Sequence, residues 1–189
     1  MEPEVDIETA TADDLEHVVS LWASLVSDQQ AYGAHIEPSG NESAARDILG
    51  RYIASRNVLI ARKPATDRSP GVGVDEHRYH QDRGEEAVFT DPPETVPVGF
   101  VMFHRERGLF EQDATRGIVE NIYVTPENRG RGIGSALMDR AETELKRDGV
   151  DVVALSVMAE NDAGRRFYRD RGYEPQRVTF ERSVEDDRD

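Results

Sequence analysis

The stretch Arg129-Gly130-Arg131-Gly132-Ile133-Gly134-Ser135 has the composition of an anion cradle. Glycines at alternate positions remove β-carbons, so a ligand can come close to the backbone, and they permit dihedrals that other residues resist. A helix that begins here offers unpaired N–H groups and the positive end of its dipole, which together favour a phosphate. Two arginines add charge. The chemistry this implies is the holding of a pyrophosphate. Glu120 is the other notable residue, a carboxylate in the apolar run Ile118-Val-Glu-Asn-Ile-Tyr-Val124. An unpaired carboxylate there is costly, and burial would raise its pKa toward values useful to a base. Its alternatives are pairing with Arg116 or Arg105, or pointing out of the sheet. Strict alternation places Glu120 with Ile122 and Val124, and a bulge would exchange it with Asn121. Tyr168, seven residues beyond Asn161, lies two helical turns on and shares its face.

The elements that must position these residues can be read in order. Val5–Thr9 alternates as a short strand. Thr11-Ala-Asp-Asp supplies a cap and an acidic first turn, and Leu15, Val18, Val19, Trp22, Leu25 and Val26 then form one helical stripe, with Trp22 in the core. Gln29–Asn41 is a loop, in which Tyr32 and His35 are candidate pocket residues or plain surface. Glu42–Ser55 is a second helix with Ala45, Ile48, Leu49 and Tyr52 inward. Asn57–Ala61 and Val96–His104 are strands joined by Lys63–Thr95, a connection with four prolines and three glycines and no sustained period, expected to be partly mobile. Ile118–Val124 is the next strand. The helix after the glycine loop buries Ile133, Leu137, Ala141 and Leu145, and Gly149 stops it. Val150–Met158 is a β-branched strand. Asn161 starts a helix that Gly172 ends, with Ala163, Phe167 and Tyr168 inward. Tyr173–Ser183 reads as a closing strand, and 184–189 as a frayed acidic tail. The order β-α-α-β-β-β-α-β-α-β is a mixed α/β layer around one sheet, in a single domain over 1–189.

Composition bounds the partners. A net charge of −15 argues against a nucleic-acid backbone as ligand. The sequence has no cysteine, so neither a disulfide nor a thiolate site is available. No run reaches about 18 apolar residues, and the acidic Met1–Ile7 is unlike a secretory signal; a cytoplasmic protein off the membrane is expected. His77 and His80 lack a third ligand and read as surface residues, so no metal is expected. Gly71-Val-Gly has no helix after it and is no nucleotide motif. The sequence holds 23 basic residues, of which only Lys63 and Lys146 are lysine. Abundant carboxylates with so little lysine suit concentrated salt, where screening suppresses self-repulsion. A halophilic protein should fold marginally in dilute buffer. Its melting temperature should rise between low and molar salt; a flat response would identify an ordinary acidic protein.

Three readings of the glycine loop compete. A Walker loop needs a Gly-Lys-Ser/Thr that is absent. A dinucleotide fingerprint follows the first strand, with an acidic residue about twenty positions on; this loop comes two thirds along the chain. In the third reading, the strand 118–124, the loop, a helix, the strand 150–158 and then Asn161, Tyr168, Gly172 and Tyr173 resemble the GCN5-related N-acetyltransferase (GNAT) superfamily. Arg129, Gly132 and Gly134 match its Arg/Gln-x-x-Gly-x-Gly/Ala loop. Departures are the 63–95 insert and Gly164, where relatives often carry alanine.

The resemblance implies a GNAT fold: one mixed, mostly antiparallel sheet with helices on both faces and a central splayed pair of parallel strands. It implies acetyl-CoA as cosubstrate, with its pyrophosphate on the N–H groups of Gly130, Arg131, Gly132, Ile133, Gly134 and Ser135. Its pantetheine arm would lie along the main chain of Ile122, Tyr123 and Val124, with Asn161 bonding the arm or ordering the loop. Tyr168 would donate a proton to the sulfur, or be a core tyrosine. Glu120 would take the amine proton, and the Val124 N–H could polarise the thioester. The function implied is direct transfer of an acetyl group to a primary amine of a small molecule or protein. The acidic charge hints at cationic acceptors such as polyamines, aminoglycosides or a protein amino terminus. The alternatives are a regulatory module that binds acyl-CoA without catalysis, and a nucleotide-binding domain. Dimers are common in the superfamily, and the acceptor and oligomeric state stay open.

Overall fold

Apolar runs of β-branched residues pair in chain order into one sheet, β1-β2-β3-β4-β5. The computed structural model describes residues 5–37, 39–65, 95–106 and 113–182. Within these, β1 is Asp6–Thr9, β2 Val58–Pro64, β3 Thr95–Arg105, β4 Arg116–Val124 and β5 Val152–Leu155. The first three pairings are antiparallel and the last, β4 with β5, is parallel. The α-helices among the described residues are α1 (Leu15–Gln30), α2 (Glu42–Ala54), α3 (Ile133–Arg147) and α4 (Asp162–Asp170). The mixed sheet with helices on both faces is therefore as the sequence predicts. Gly71, His77, His80, most of the 63–95 insert and the 184–189 tail lie outside the described residues.

Each face of the sheet carries its own core. On one, Val18, Leu25 and Leu49 of α1 and α2 meet Val58, Ile60, Phe100 and Met102. On the other, Ile133, Leu137, Met138, Ala141 and Leu145 of α3 meet Leu59, Val101, Phe103 and Val119. Full burial of one such leucine or phenylalanine stabilises by about 1.5–3 kcal/mol, so α3 is held firmly and its N-terminus is a fixed platform. Gly99 in β3 leaves no room for a side chain: a β-carbon there would lie 2.6 Å from the Tyr123 carbonyl oxygen. A substitution at this position would push β4 away from β3.

The inward faces need correcting at several positions. Leu21 and Ile53 are buried, whereas Ile48 is 41% exposed, because α2 turns the row Ala45, Leu49, Ile53 to the sheet. Ala163 is exposed at the open start of α4. The strand expected over 150–158 pairs only from Val152 to Leu155. The closing strand expected over 173–183 does not form: 173–182 has no ladder partner, and Val178 and Phe180 are 70% and 91% exposed. Alternation marks a segment able to cover a half-buried face but supplies no edge to pair with.

Candidate active site

The glycine loop hangs between β4 and α3 on fixed anchors. Asn128 is buried and donates to Thr125 Oγ1 at 2.7 Å, while Lys63 Nζ donates to its Oδ1 at 3.2 Å. Gly132 is the N-cap of α3 and holds φ +83°, a conformation that costs a residue with a β-carbon about 1–2 kcal/mol. The first hydrogen bond of α3 runs from the Ala136 N–H to the Gly132 carbonyl at 3.0 Å. The amides before it are left for an outside acceptor, and the helix dipole favours an anionic one. Arg131 is exposed at this site. Arg129 is instead engaged within the fold. Its Nε donates to the Val124 carbonyl at 2.9 Å, its Nη2 to Asp28 of α1 at 2.6 Å, and its guanidinium lies 5.4 Å from the Tyr123 ring centre.

Beside this loop the sheet opens. The parallel pairing of β4 with β5 runs from Arg116↔Val152 to Val119↔Leu155 and stops. Beyond it, Thr125 N–H is spent on the Val98 carbonyl at 2.9 Å. Backbone groups alternate sides along a strand, so Tyr123 bonds toward β3, while the N–H groups of Val124 and Ile122 face the gap left by β5. The result is a slot with free main-chain donors along one wall and the α3 N-terminus at its mouth.

Glu120 stands at the closed end of that slot, as the extra residue of a β-bulge. Val119 pairs with Phe103 and Asn121 with Met102, which leaves Glu120 without an opposite. The bulge takes it away from Ile122 and Val124, and the expected burial is absent, since its side chain is 41% exposed. Its partner is neither Arg105 nor Arg116, the latter being paired with Glu106 at 3.2 Å. Glu120 Oε1 lies 3.5 Å from Nδ1 of His104, which also meets the Tyr52 hydroxyl at 3.1 Å. Burial, and then the charge of Glu120, raise the Tyr52 pKa.

The helix after β5 carries the other candidates. Asn161 caps α4, accepting from the Gly164 N–H at 2.8 Å. A β-carbon on residue 164 would come within 2.9 Å of the Asn161 amide, which accounts for glycine there. Tyr168 packs edge-on between Phe167 and Tyr173, with ring centres 5.2 and 5.9 Å away. Burial pushes its pKa up to about 12, so the phenol keeps its proton at neutral pH. Tyr173 donates to Glu142 at 2.9 Å, and Arg171 reaches Asp139 and Glu142 at 2.5 and 3.2 Å. These bonds fasten the end of α4 to α3. Phe167 abuts the loop, 3.6 Å from where a β-carbon of Gly134 would be, so the helix bearing Tyr168 lies against the cradle.

His104, Asp28 and Asn128 were not singled out by sequence reasoning. Asp28 and Arg129 are 101 residues apart, and only the folded sheet brings such pairs together. The turn run Thr125-Pro-Glu-Asn128 was the one local signal among them.

Residues 57–173 match the model of the acetyltransferase (GNAT) family. Over 98 residues the chain is 35% identical to an uncharacterized N-acetyltransferase of Methanocaldococcus jannaschii, covering 51% of this chain and 42% of that protein. The chain thus spans less than half the length of that relative. Among solved structures, a GCN5-related N-acetyltransferase from Ralstonia eutropha superposes with a TM-score of 0.65 at 20% identity, covering 96% of this chain and 99% of that one. A predicted acetyltransferase from Clostridium acetobutylicum, solved with acetyl-CoA, gives 0.61 at 16% identity, with 95% and 96% covered. Among the described residues no helix is long and apolar enough to cross a membrane, and no three metal-ligating side chains cluster.

Proposed function

Since the chain belongs to the acetyltransferase (GNAT) family, we propose that it moves an acetyl group from acetyl-CoA directly to a primary amine within a ternary complex. The observation that carries this reading is the register of β4. Pairing with β5 ends at Val119, leaving a slot with outward amides at Ile122 and Val124 and an anion-binding helix start at its mouth. An extended arm tethered by pyrophosphate at Gly130–Ser135 adds along β4 as a strand would, with its thioester directed toward Glu120. Acetyl-CoA supplies the activated acyl group, and coenzyme A leaves as the thiol.

The chain's own residues supply the rest. Acyl transfer needs a neutral amine, a stabilised oxyanion and a proton for the sulfur. Glu120, supported by His104, takes the proton that the amine nitrogen loses as the N–C bond forms. The N–H of Ile122, the gap-facing amide nearer Glu120, stabilises the charge on the carbonyl oxygen, while that of Val124, nearer the mouth, holds the arm. Tyr168, held protonated by burial, donates to the sulfur as the C–S bond breaks. Exchange with solvent returns Glu120 to the carboxylate and Tyr168 to the phenol, so the net proton movement is from nitrogen to sulfur. Asn161 holds the start of α4 and so the placement of Tyr168.

Thiol release from acetyl-CoA, followed in molar salt over a panel of primary amines, tests the proposal. Amine-dependent release is expected. Binding of acetyl-CoA without release on any amine would instead identify a regulatory module.

A further inference from the structure

Two clefts open on the α1 side of the sheet, and their linings differ. One, between α1 and β4, is polar, with Ser24, Asp28 and Tyr123 among its walls. Its carboxylate, Asp28, is already spent on Arg129 at 2.6 Å. The other, between α1, α2 and β3, has a volume of about 300 Å³ and is walled by Trp22, Ile36, Ile48, Leu49 and Met102, with His35 at its rim. No described residue lining it is acidic. Ile36 and Ile48 are two of the few large apolar side chains the fold leaves exposed. Both line the same cleft, and a grouped apolar surface rimmed by polar residues is the mark of a binding groove.

Two elements lead from the lining of the apolar cleft to Glu120 at the closed end of the slot. On β3, Met102 lines the cleft and His104, two residues on and on the same face, touches Glu120. On α2, Ile48 and Leu49 line the cleft and Tyr52, one turn on, touches His104. Met102 is also the register partner of Asn121, the neighbour of Glu120. One helical turn and two strand residues both span about 5–7 Å. The cleft therefore ends about 5–7 Å from Tyr52 and His104, and Glu120, the only carboxylate in this cluster of described side chains, lies 3.5 Å beyond His104.

We propose that the acceptor is a primary amine carried by a short linker on a compact apolar group. The apolar group seats against Trp22, Ile48 and Met102, and the amine reaches Glu120. This rests on the acetyl-transfer reading and replaces the polycationic acceptors that net charge alone suggests. A polyamine would bring a second cation into a cleft whose described lining holds no carboxylate, the nearest being Glu181 at the rim, 3.7 Å from His35, and such a charge is expensive to desolvate.

Trp22 is the single tryptophan of the chain, so its emission reports on this cleft without need of turnover. The protein saturated with coenzyme A is titrated with 2-phenylethylamine and, separately, with spermidine. A saturable change in Trp22 emission is expected with 2-phenylethylamine and none with spermidine. Ile48→Asn, at an exposed position that leaves the core intact, should weaken that binding by about fivefold with an unchanged melting temperature. An equal or larger response to spermidine, or unaltered affinity in Ile48→Asn, would overturn the assignment. Thiol release from acetyl-CoA, in parallel samples without added coenzyme A, separates the two claims. Binding at Trp22 without release would overturn acetyl transfer and keep the cleft as an apolar-amine site. Release with spermidine alone would keep acetyl transfer and overturn the cleft assignment.

Discussion

The Gly132→Glu protein is expected to lose coenzyme A affinity by about a hundredfold or more, equivalent to about 2.8 kcal/mol. Three effects act together. Residue 132 sits at φ +83° as the N-cap of α3, so any side chain there is strained. Its bulk enters the space where a pyrophosphate would meet the free amides. Its negative charge takes the place at the positive helix end that the phosphate would occupy. Gly132→Ala carries the strain with little bulk and no charge, and should lose far less affinity. Calorimetric titration of both proteins with coenzyme A checks this, with melting temperatures to confirm that α3 stays folded on Leu137, Met138 and Leu145. Retained affinity in Gly132→Glu would remove the cradle from this loop.

Tyr168→Phe is expected to lower kcat by about a hundredfold, within the range for loss of a positioned proton donor, and to change coenzyme A affinity by less than about twofold. Tyr168 is partly buried against Phe167 and Tyr173, and that desolvation alone raises its pKa to about 12. It therefore stays protonated well above neutral pH, and no alkaline loss of activity near neutrality should trace to it. A thiolate departing into the same desolvated pocket also becomes more basic, which narrows the gap across which the proton moves. Removing the hydroxyl leaves the ring packing in place, so the variant should melt near the parent temperature. Single-turnover rates with and without the hydroxyl measure the effect; unchanged turnover would make Tyr168 a core tyrosine.

Local pattern carried most of the fold. The row Ile133, Leu137, Ala141, Leu145 is buried as its period demands, and β3 and β4 are little more than extensions of their apolar runs. What failed depended on partners. The segment 173–182 alternates like a strand and finds no edge, while Ile48 has the spacing of a core residue and instead walls a cleft. At the site, the glycine loop and the Asn161–Tyr168 helix were legible because each is contiguous. The surroundings of Glu120 were not. A one-residue bulge changes which face a side chain takes, and His104 and Tyr52 reach it from elements far away in the chain. Arg129 likewise has the charge of a phosphate ligand, but Asp28 and the Val124 carbonyl hold it as a brace for the loop.

The most direct test is mass spectrometry of both amine and protein while thiol is released from acetyl-CoA. Direct transfer across the β4–β5 slot predicts one N-acetylated amine for each thiol released, with the mass of the protein unchanged throughout. Acetyl groups accumulating on the protein before amine is added, or thiol released without an N-acetylated product, would contradict it.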